Sequence, residues 1–189
     1  SKAASSGWIW NIPLKNRFGN GYVYSSDFLD ESQAEKELRK YLGTEGSETA
    51  ARHLKMRVGR LSHCWEKNCL AVGLSQGFIE PLEATALMVV QDTVEIFLEN
   101  FVRGDLSNTY KDQANEKVNL IFDGIKNYIV THYKLNSRSD TDYWIANREN
   151  ENITDELKAI INTWDKGGDL QGELKSQAAT QVYSPTSWY

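Results

Sequence analysis

CLAVGLSQGFIEPLEATALMVVQDTVEIFLENFV, Cys69 to Val102, decides how this chain is read. Cys69 to Leu74 is a continuous apolar run between Asn68 and Ser75, the pattern of a strand covered on both faces. From Leu82 to Val102, apolar residues fall at positions 82, 86, 89, 97 and 101 with Thr93 in phase, and 87, 90 and 94 widen the stripe into a largely buried helix. Strand, glycine-containing turn and buried helix in succession predict an α/β unit.

The mouth of that helix carries Glu80, Pro81 and Glu83. Proline is most comfortable in a first helical turn, so the helix is predicted to begin between Pro81 and Thr85. The first N–H groups of a helix have no internal partner, and with the helix dipole they form an anion site whose donors here include Thr85 and Ala86. Glu83 is pulled two ways. The helix start favours its carboxylate, whereas Phe78, Leu82 and Leu87 disfavour it by desolvation. Two readings follow: acids that merely compensate the dipole, or a carboxylate tuned for chemistry.

Toward the N-terminus, residues 7–30 read as extended. Trp8, Trp10 and Ile12 alternate up to Pro13, and Phe18 to Ser26 surrounds Gly19-Asn20-Gly21, a tight-turn signal. Two tryptophans on one strand face make a flat apolar wall, suited to core packing or to bounding an aromatic ligand. Asp30 followed by Gln33 predicts a capped helix ending at Gly43, with a solvated Lys and Glu face and a loop to Thr49. Residues 52–66 alternate enough for two short strands around Gly59. Tyr110 to Tyr133 has helical spacing, 140–150 and 152–165 read as shorter helices, and Gly167-Gly168 stops the last; the remainder to Tyr189 reads as irregular.

Composition narrows the class. The chain has 189 residues, 40% of them hydrophobic and 25% charged, with a net charge of −5. That is a globular composition without the basic surplus of a nucleic-acid binder. Cys64 and Cys69 lack a matching Cys or His cluster, so neither a disulfide framework nor a metal site is expected, and a reduced, cytoplasmic setting fits. No apolar run reaches the roughly 18 residues of a membrane span. His53, His63 and His132 are scattered and read as surface or strand histidines. The start at Ser1 and the aromatic close Ser187-Trp188-Tyr189 read as a piece of a longer protein.

Trp8-x-Trp10-x-Ile12-Pro13 resembles the signature of the flavin-dependent halogenases of the tryptophan halogenase family. Gly73-x-Ser75-x-Gly77-Phe78-Ile79-Glu80-Pro81-Leu82-Glu83-Ala84-Thr85 resembles that family's segment carrying the catalytic glutamate and the halide site. Further likeness lies in Arg17 to Ser26, Arg57-x-Gly59-Arg60 and Asp140 to Asn147, so the resemblance spans nearly the whole chain.

What the resemblance implies is a mechanism. Reduced FAD, supplied by a separate reductase, forms a hydroperoxide with oxygen; chloride or bromide attacks it, and the hypohalous acid reaches an aromatic, indole- or phenol-like substrate. It implies Glu83 as the catalytic residue, Thr85 and Ala86 as halide-binding, Leu74 and Leu87 as flavin-contacting, and Trp8, Trp10, Ile12 and Pro13 as the separator of flavin from substrate. It implies an α+β or α/β fragment: residues 67–103 as the last strand and helix of a Rossmann-like FAD-binding domain, 1–66 as a substrate-module sheet with one helix, and 104–189 as its helical part. A homodimer is admitted.

Ala84 stands where many tryptophan-specific members have Ser, and Ala86 where they have Gly. The stretch from Gln177 lacks their acidic residue, so free tryptophan is not the implied substrate. The chain has no Gly-x-Gly-x-x-Gly fingerprint, and the family's catalytic lysine lies upstream of the tryptophan motif, so the chain alone is expected to be inactive. A flavin-dependent aromatic hydroxylase and a non-catalytic aromatic-binding domain are the alternatives.

Overall fold

A computed structural model describes residues 1–177 and 182–189 as a mixed α/β chain. In chain order its elements are β1 (Lys2–Ala3), β2 (Gly7–Pro13), β3 (Phe18–Tyr24), α1 (Glu31–Leu42), β4 (Gly59–Arg60), β5 (Trp65–Glu66), β6 (Cys69–Leu70), β7 (Gly77–Phe78), α2 (Ala86–Arg103), α3 (Lys111–Lys134), α4 (Asp142–Glu149), α5 (Asp155–Asp165) and α6 (Leu170–Ser176). Short 3-10 turns cover Gly73–Ser75 and Pro185–Trp188. They form two compact units: Ser1–Met56 with Tyr133–Asn150, and Arg57–His132 with Glu151–Tyr189.

In the first unit, β1, β2 and β3 make an antiparallel sheet in that order, with Trp8 opposite Val23 and Trp10 opposite Gly21. The hairpin closes between Leu14 and Arg17, where Leu14 N–H donates to the Arg17 carbonyl at 2.8 Å. Gly19-Asn20-Gly21 therefore lies inside β3 and makes no turn, a correction to the sequence reading. Trp10 supplies the physical reason: its indole covers Gly21, and a Cβ there would sit 2.2 Å from Cζ2. Glycine inside a strand here marks close approach of a ring. Gly21→Ala is expected to destabilise by about 1–3 kcal/mol through overpacking, read as a lower urea midpoint; an unchanged midpoint would refute this account of Gly21.

The helix α1 forms as predicted. Asp30 Oδ1 accepts from Gln33 N–H at 2.8 Å, and Gly43 terminates the helix at φ 66°. Glu37 reaches back from α1 to accept from Ser5 N–H (2.9 Å), Ser5 Oγ (2.6 Å) and Tyr22 Oη (3.0 Å). The aromatic core is centred on Trp144 of α4, 1% exposed, whose Nε1 donates to the Ala4 carbonyl at 2.8 Å. Trp8 meets it edge-on at 5.6 Å and Tyr133 stacks on it at 5.9 Å.

In the second unit, Trp65 is 2% exposed and packs edge-on against Phe97 (4.7 Å) and Phe101 (5.9 Å) of α2. Asn115 of α3 clamps the Trp65 main chain, accepting from its N–H at 2.8 Å and donating to its carbonyl at 2.9 Å. The buried face of α3 carries Val118, Phe122, Ile125 and Ile129, as the helical spacing predicts. Ile160 of α5 packs with Leu170 and Leu174 of α6, covered by Trp188.

Several expectations for this unit are corrected. Cys69 to Leu74 is no doubly covered strand: only Cys69–Leu70 is extended, antiparallel to β5, and Leu74 is 83% exposed. Gly73 adopts φ +59°, which ends the extended run, and Ser75 Oγ accepts from Val72 N–H (3.1 Å) and donates to the Val72 carbonyl (2.7 Å). In residues 52–66 only β4 and β5 form, each two residues long. Among the described residues every strand pair is antiparallel. The shorter helix near 152–165 is present, with Gly167 at φ 64° after it, as is the one near 140–150, which belongs to the first unit. Beyond it, α6 occupies part of the stretch read as irregular, capped by Asp169 accepting from Gly172 N–H at 2.9 Å. Residues 178–181 of that stretch lie outside the described residues. Among the described residues no helix is long and apolar enough to cross a membrane.

Candidate functional site

Glu83 sits in a turn ahead of α2. Ala84 N–H donates to the Pro81 carbonyl at 3.1 Å, and Ala84 itself is left-handed at φ 54°. A residue with a Cβ pays roughly 1–2 kcal/mol for that conformation. It cannot join a right-handed helix, so α2 begins after it, at Ala86 with Thr85 as cap, one residue beyond the predicted range and with Pro81 outside the first turn. Val89 N–H donates to the Thr85 carbonyl at 3.0 Å. The N–H groups of Thr85, Ala86, Leu87 and Met88 precede that bond and lie outside the i to i−4 ladder. Thr85 and Ala86 are thus donors at a helix start, as read from the sequence, although the break at Ala84 makes them so. The Thr85 side chain makes no capping hydrogen bond.

The Glu83 carboxylate is partly covered, and Oε1 lies 3.3 Å from His132 Nε2 in the last turns of α3. The other ring nitrogen of His132, Nδ1, is 3.0 Å from the Tyr128 carbonyl one turn earlier. A carbonyl only accepts, so Nδ1 carries a hydrogen. Against the expectation of a surface or strand histidine, His132 lies on α3, part-buried, and pairs with the acid that the sequence singles out. Its ring is edge-on to Tyr128 at 5.0 Å.

Tyr128 connects this pair to the C-terminal segment. Its ring stacks on Tyr183 at 3.7 Å and meets Trp188 edge-on at 5.0 Å, while its hydroxyl donates to the Ser187 carbonyl at 3.0 Å. Burial, with the Glu83 charge second, raises the Tyr128 pKa. The same two causes push Tyr183 up to about 12. The Thr85 hydroxyl opposes that rise, and among the described residues the buried Tyr183 hydroxyl has no hydrogen-bond partner of ordinary geometry.

A testable consequence follows for Tyr183. Its folded pKa lies above the unfolded value near 10, so its contribution to stability is complete below about pH 10 and is lost as pH rises toward 12. Tyr183→Phe is expected to remove that alkaline loss and, because the hydroxyl is unpartnered, to leave neutral-pH stability unchanged or higher. Thermal unfolding of both forms across this range measures it; a clear neutral-pH loss in the Phe variant would contradict the assignment.

Leu74 and Leu87 are each 83% exposed. The 3-10 turn bearing Leu74 packs on α2, with a Cβ at Gly73 falling 3.5 Å from Val90 Cγ2. An exposed apolar surface beside unladdered N–H donors fits one face of a planar, partly polar ring such as an isoalloxazine. The phosphate end of FAD has no corresponding cradle in this sequence, which lacks a Gly-x-Gly-x-x-Gly run.

Glu83, Thr85, Ala86, Leu74 and Leu87 therefore belong to the second unit. Trp8, Trp10, Ile12 and Pro13 belong to the first, on β2. Trp8 and Trp10 are half-buried on one face, Ile12 and Pro13 are exposed, and the buried Trp8 indole N–H has no partner among the described residues. Sequence reasoning missed His132, Tyr128 and Tyr183. The four-residue step from Tyr128 to His132 on a predicted helix puts the two on one face, but nothing local ties them to Glu83.

Comparison with characterised proteins bears on the whole chain. Residues 1–189 match the sequence profile of the family described as tryptophan halogenase. The 7-chloro-L-tryptophan 6-halogenase KtzR of Kutzneria sp. is 38% identical over 162 residues, 86% of this chain and 31% of its own length. The tryptophan 7-halogenase RebH of Lentzea aerocolonigenes is 34% identical over 181 residues, 96% of this chain and 34% of its own. Among solved structures, BrvH, a flavin-dependent halogenase from Brevundimonas sp. BAL3, aligns at a TM-score of 0.78 and 31% identity, covering 98% of this chain and 42% of that one. The chain spans about a third of the length of the curated relatives it matches. With the family profile matched from end to end, the chain belongs to the tryptophan halogenase family.

Proposed function

We propose that this chain is the C-terminal part of a flavin-dependent halogenase acting on an aromatic, indole- or phenol-like ring. The observation that carries the reading is the sharing of one turn by Glu83 and the helix-start donors of Thr85 and Ala86, with Leu74 and Leu87 exposed alongside. Bound reduced flavin, renewed by a separate reductase, supplies with dioxygen the oxidation of chloride or bromide to hypohalous acid. The chain's residues do the rest. Thr85 and Ala86 N–H groups hold the halide, favoured by the dipole of α2. Leu74 and Leu87 cover one face of the flavin ring. Glu83 takes the proton from the ring carbon after its bond to halogen forms, which restores aromaticity. Trp8, Trp10, Ile12 and Pro13 keep flavin and substrate apart.

On this reading residues 67–103 close a Rossmann-like FAD-binding domain whose other strands and phosphate cradle lie elsewhere in the whole enzyme. Residues 1–66 and 104–189 belong to the substrate module. The named activities of KtzR and RebH support the reaction class; the absence of an acidic residue from Gln177 onward argues for a substrate other than free tryptophan. The isolated chain is expected neither to retain FAD nor to halogenate.

The test is product analysis with the whole enzyme, reduced flavin, oxygen and an indole, with and without bromide. Brominated product that disappears without bromide is expected. Hydroxylated product independent of halide would replace this reading with an aromatic monooxygenase, and ring binding without turnover would make the chain a binding module.

A further inference from the structure

We propose that His132 is the positioning residue of Glu83 and the next holder of the proton that Glu83 removes. The inference rests on the reading of Glu83 as the base and extends it to a residue that no motif in the chain includes.

The geometry fixes which nitrogen does what. Nδ1–H donates to the Tyr128 carbonyl at 3.0 Å. In the neutral ring Nε2 then holds a lone pair, and it faces Glu83 Oε1 at 3.3 Å. Two lone pairs at that distance repel, so a proton arriving at Glu83 turns the contact into a hydrogen bond and is shared with Nε2. The ring cannot exchange its nitrogens without giving up the carbonyl bond. It is further restrained by the edge contact with Tyr128, whose ring is sandwiched against Tyr183 and whose hydroxyl is tied to Ser187. Glu83 is thereby held by a partner on a long helix, while its own backbone lies in a turn broken by the left-handed Ala84.

In the proposed step the ring C–H bond breaks, its electron pair returns to the aromatic system, and the proton goes to the Glu83 carboxylate. It passes from the carboxyl oxygen to His132 Nε2, and from there to water, since the His132 side chain is 33% exposed. Nothing is oxidised or reduced, and both residues end as they began.

Two measurements test this. Nitrogen-15 spectra of the chain, with the His132 signals assigned by their absence in His132→Asn, are expected to show neutral His132 protonated at Nδ1, the reverse of the tautomer free histidine prefers. A ring protonated at Nε2 when neutral would overturn the proposal whatever the activity. In the whole enzyme, His132→Asn keeps a donor near Nδ1 and removes Nε2, whereas His132→Gln keeps a polar group near Nε2 without a base. Both are expected to lower kcat by about 10–100-fold with the halide KM unchanged. Both are also expected to raise the isotope effect of substrate deuterated at the halogenated carbon, because proton removal becomes the slow step. Wild-type kcat and isotope effect in both variants, with Glu83→Gln inactive, would sink the role of His132 and leave Glu83 standing. Full turnover by Glu83→Gln would sink the underlying reading instead.

Discussion

Glu83→Gln in the whole enzyme is expected to lower kcat for aromatic halogenation by about 10²–10⁴-fold, the range associated with loss of a positioned general base. The amide matches the carboxylate in shape but cannot accept the ring proton, and it gives His132 Nε2, 3.3 Å away, a neutral neighbour. Because the pair is partly exposed, its loss should cost about 0–1 kcal/mol of stability, so the unfolding midpoint should stay close to wild type. Halide and flavin affinity should also persist, since the halide donors proposed at Thr85 and Ala86 are backbone groups and the proposed flavin contacts Leu74 and Leu87 lie outside the pair. Steady-state kinetics beside a thermal melt separate these effects. A variant within about tenfold of wild-type kcat would remove Glu83 from the proton-transfer role.

The largest expected loss of stability comes from Trp144→Ala. Trp144 is 1% exposed and touches Trp8, Tyr133 and Tyr143, and its Nε1–H serves the Ala4 carbonyl at 2.8 Å. Removing the ring leaves a cavity worth about 3–5 kcal/mol. That carbonyl also loses its indole donor but keeps Arg138 Nη1 at 2.9 Å, so the further cost is about 0.5–1.5 kcal/mol, and the two terms overlap and do not simply add. Trp144→Phe separates them: much of the packing returns and the donor does not, so its midpoint should fall between those of wild type and the Ala variant. Urea unfolding measures the series. A loss below about 1 kcal/mol for Trp144→Ala would show that Trp8 and its strand are not held by this aromatic group. The result matters for function because Trp8 belongs to the tryptophan motif.

What could be read from the sequence divides along physical lines. Asp30, Gln33 and Gly43 delimit α1 because capping and left-handed termination are local chemistry. The stripe through Val89, Thr93, Ile96 and Asn100 of α2 is legible because burial imposes a helical period. Its first residue is less so, since the backbone angle at Ala84 is taken by a residue type that normally avoids it. Gly21 misleads for a related reason: glycine beside Asn suits a turn, but the Trp10 ring uses the missing Cβ. Cys69 to Leu74 has the composition of a strand, yet Gly73 and the Ser75 hydroxyl close it into a 3-10 turn that leaves Leu74 exposed. α6 escapes notice because Leu170 and Leu174 are its buried residues and Gly172 interrupts the pattern.

The candidate site shows the same division. Glu83, Thr85 and Ala86 occupy one short segment, so a proline, an acid and the start of an apolar stripe bring them to attention together. His132 meets Glu83 only because the fold returns α3 to the turn before α2. Tyr183 likewise reaches Tyr128 through the path of the C-terminal segment. Such pairings carry no periodic signal, and tertiary packing alone creates them.

The central claim is that the start of α2 holds a halide beside Glu83. Anomalous scattering from bromide in crystals of the whole enzyme tests it most directly. The expected result is a bromide within hydrogen-bonding reach of the Thr85 and Ala86 N–H groups, retained in Glu83→Gln; bromide sites elsewhere with none at that helix start would contradict the account.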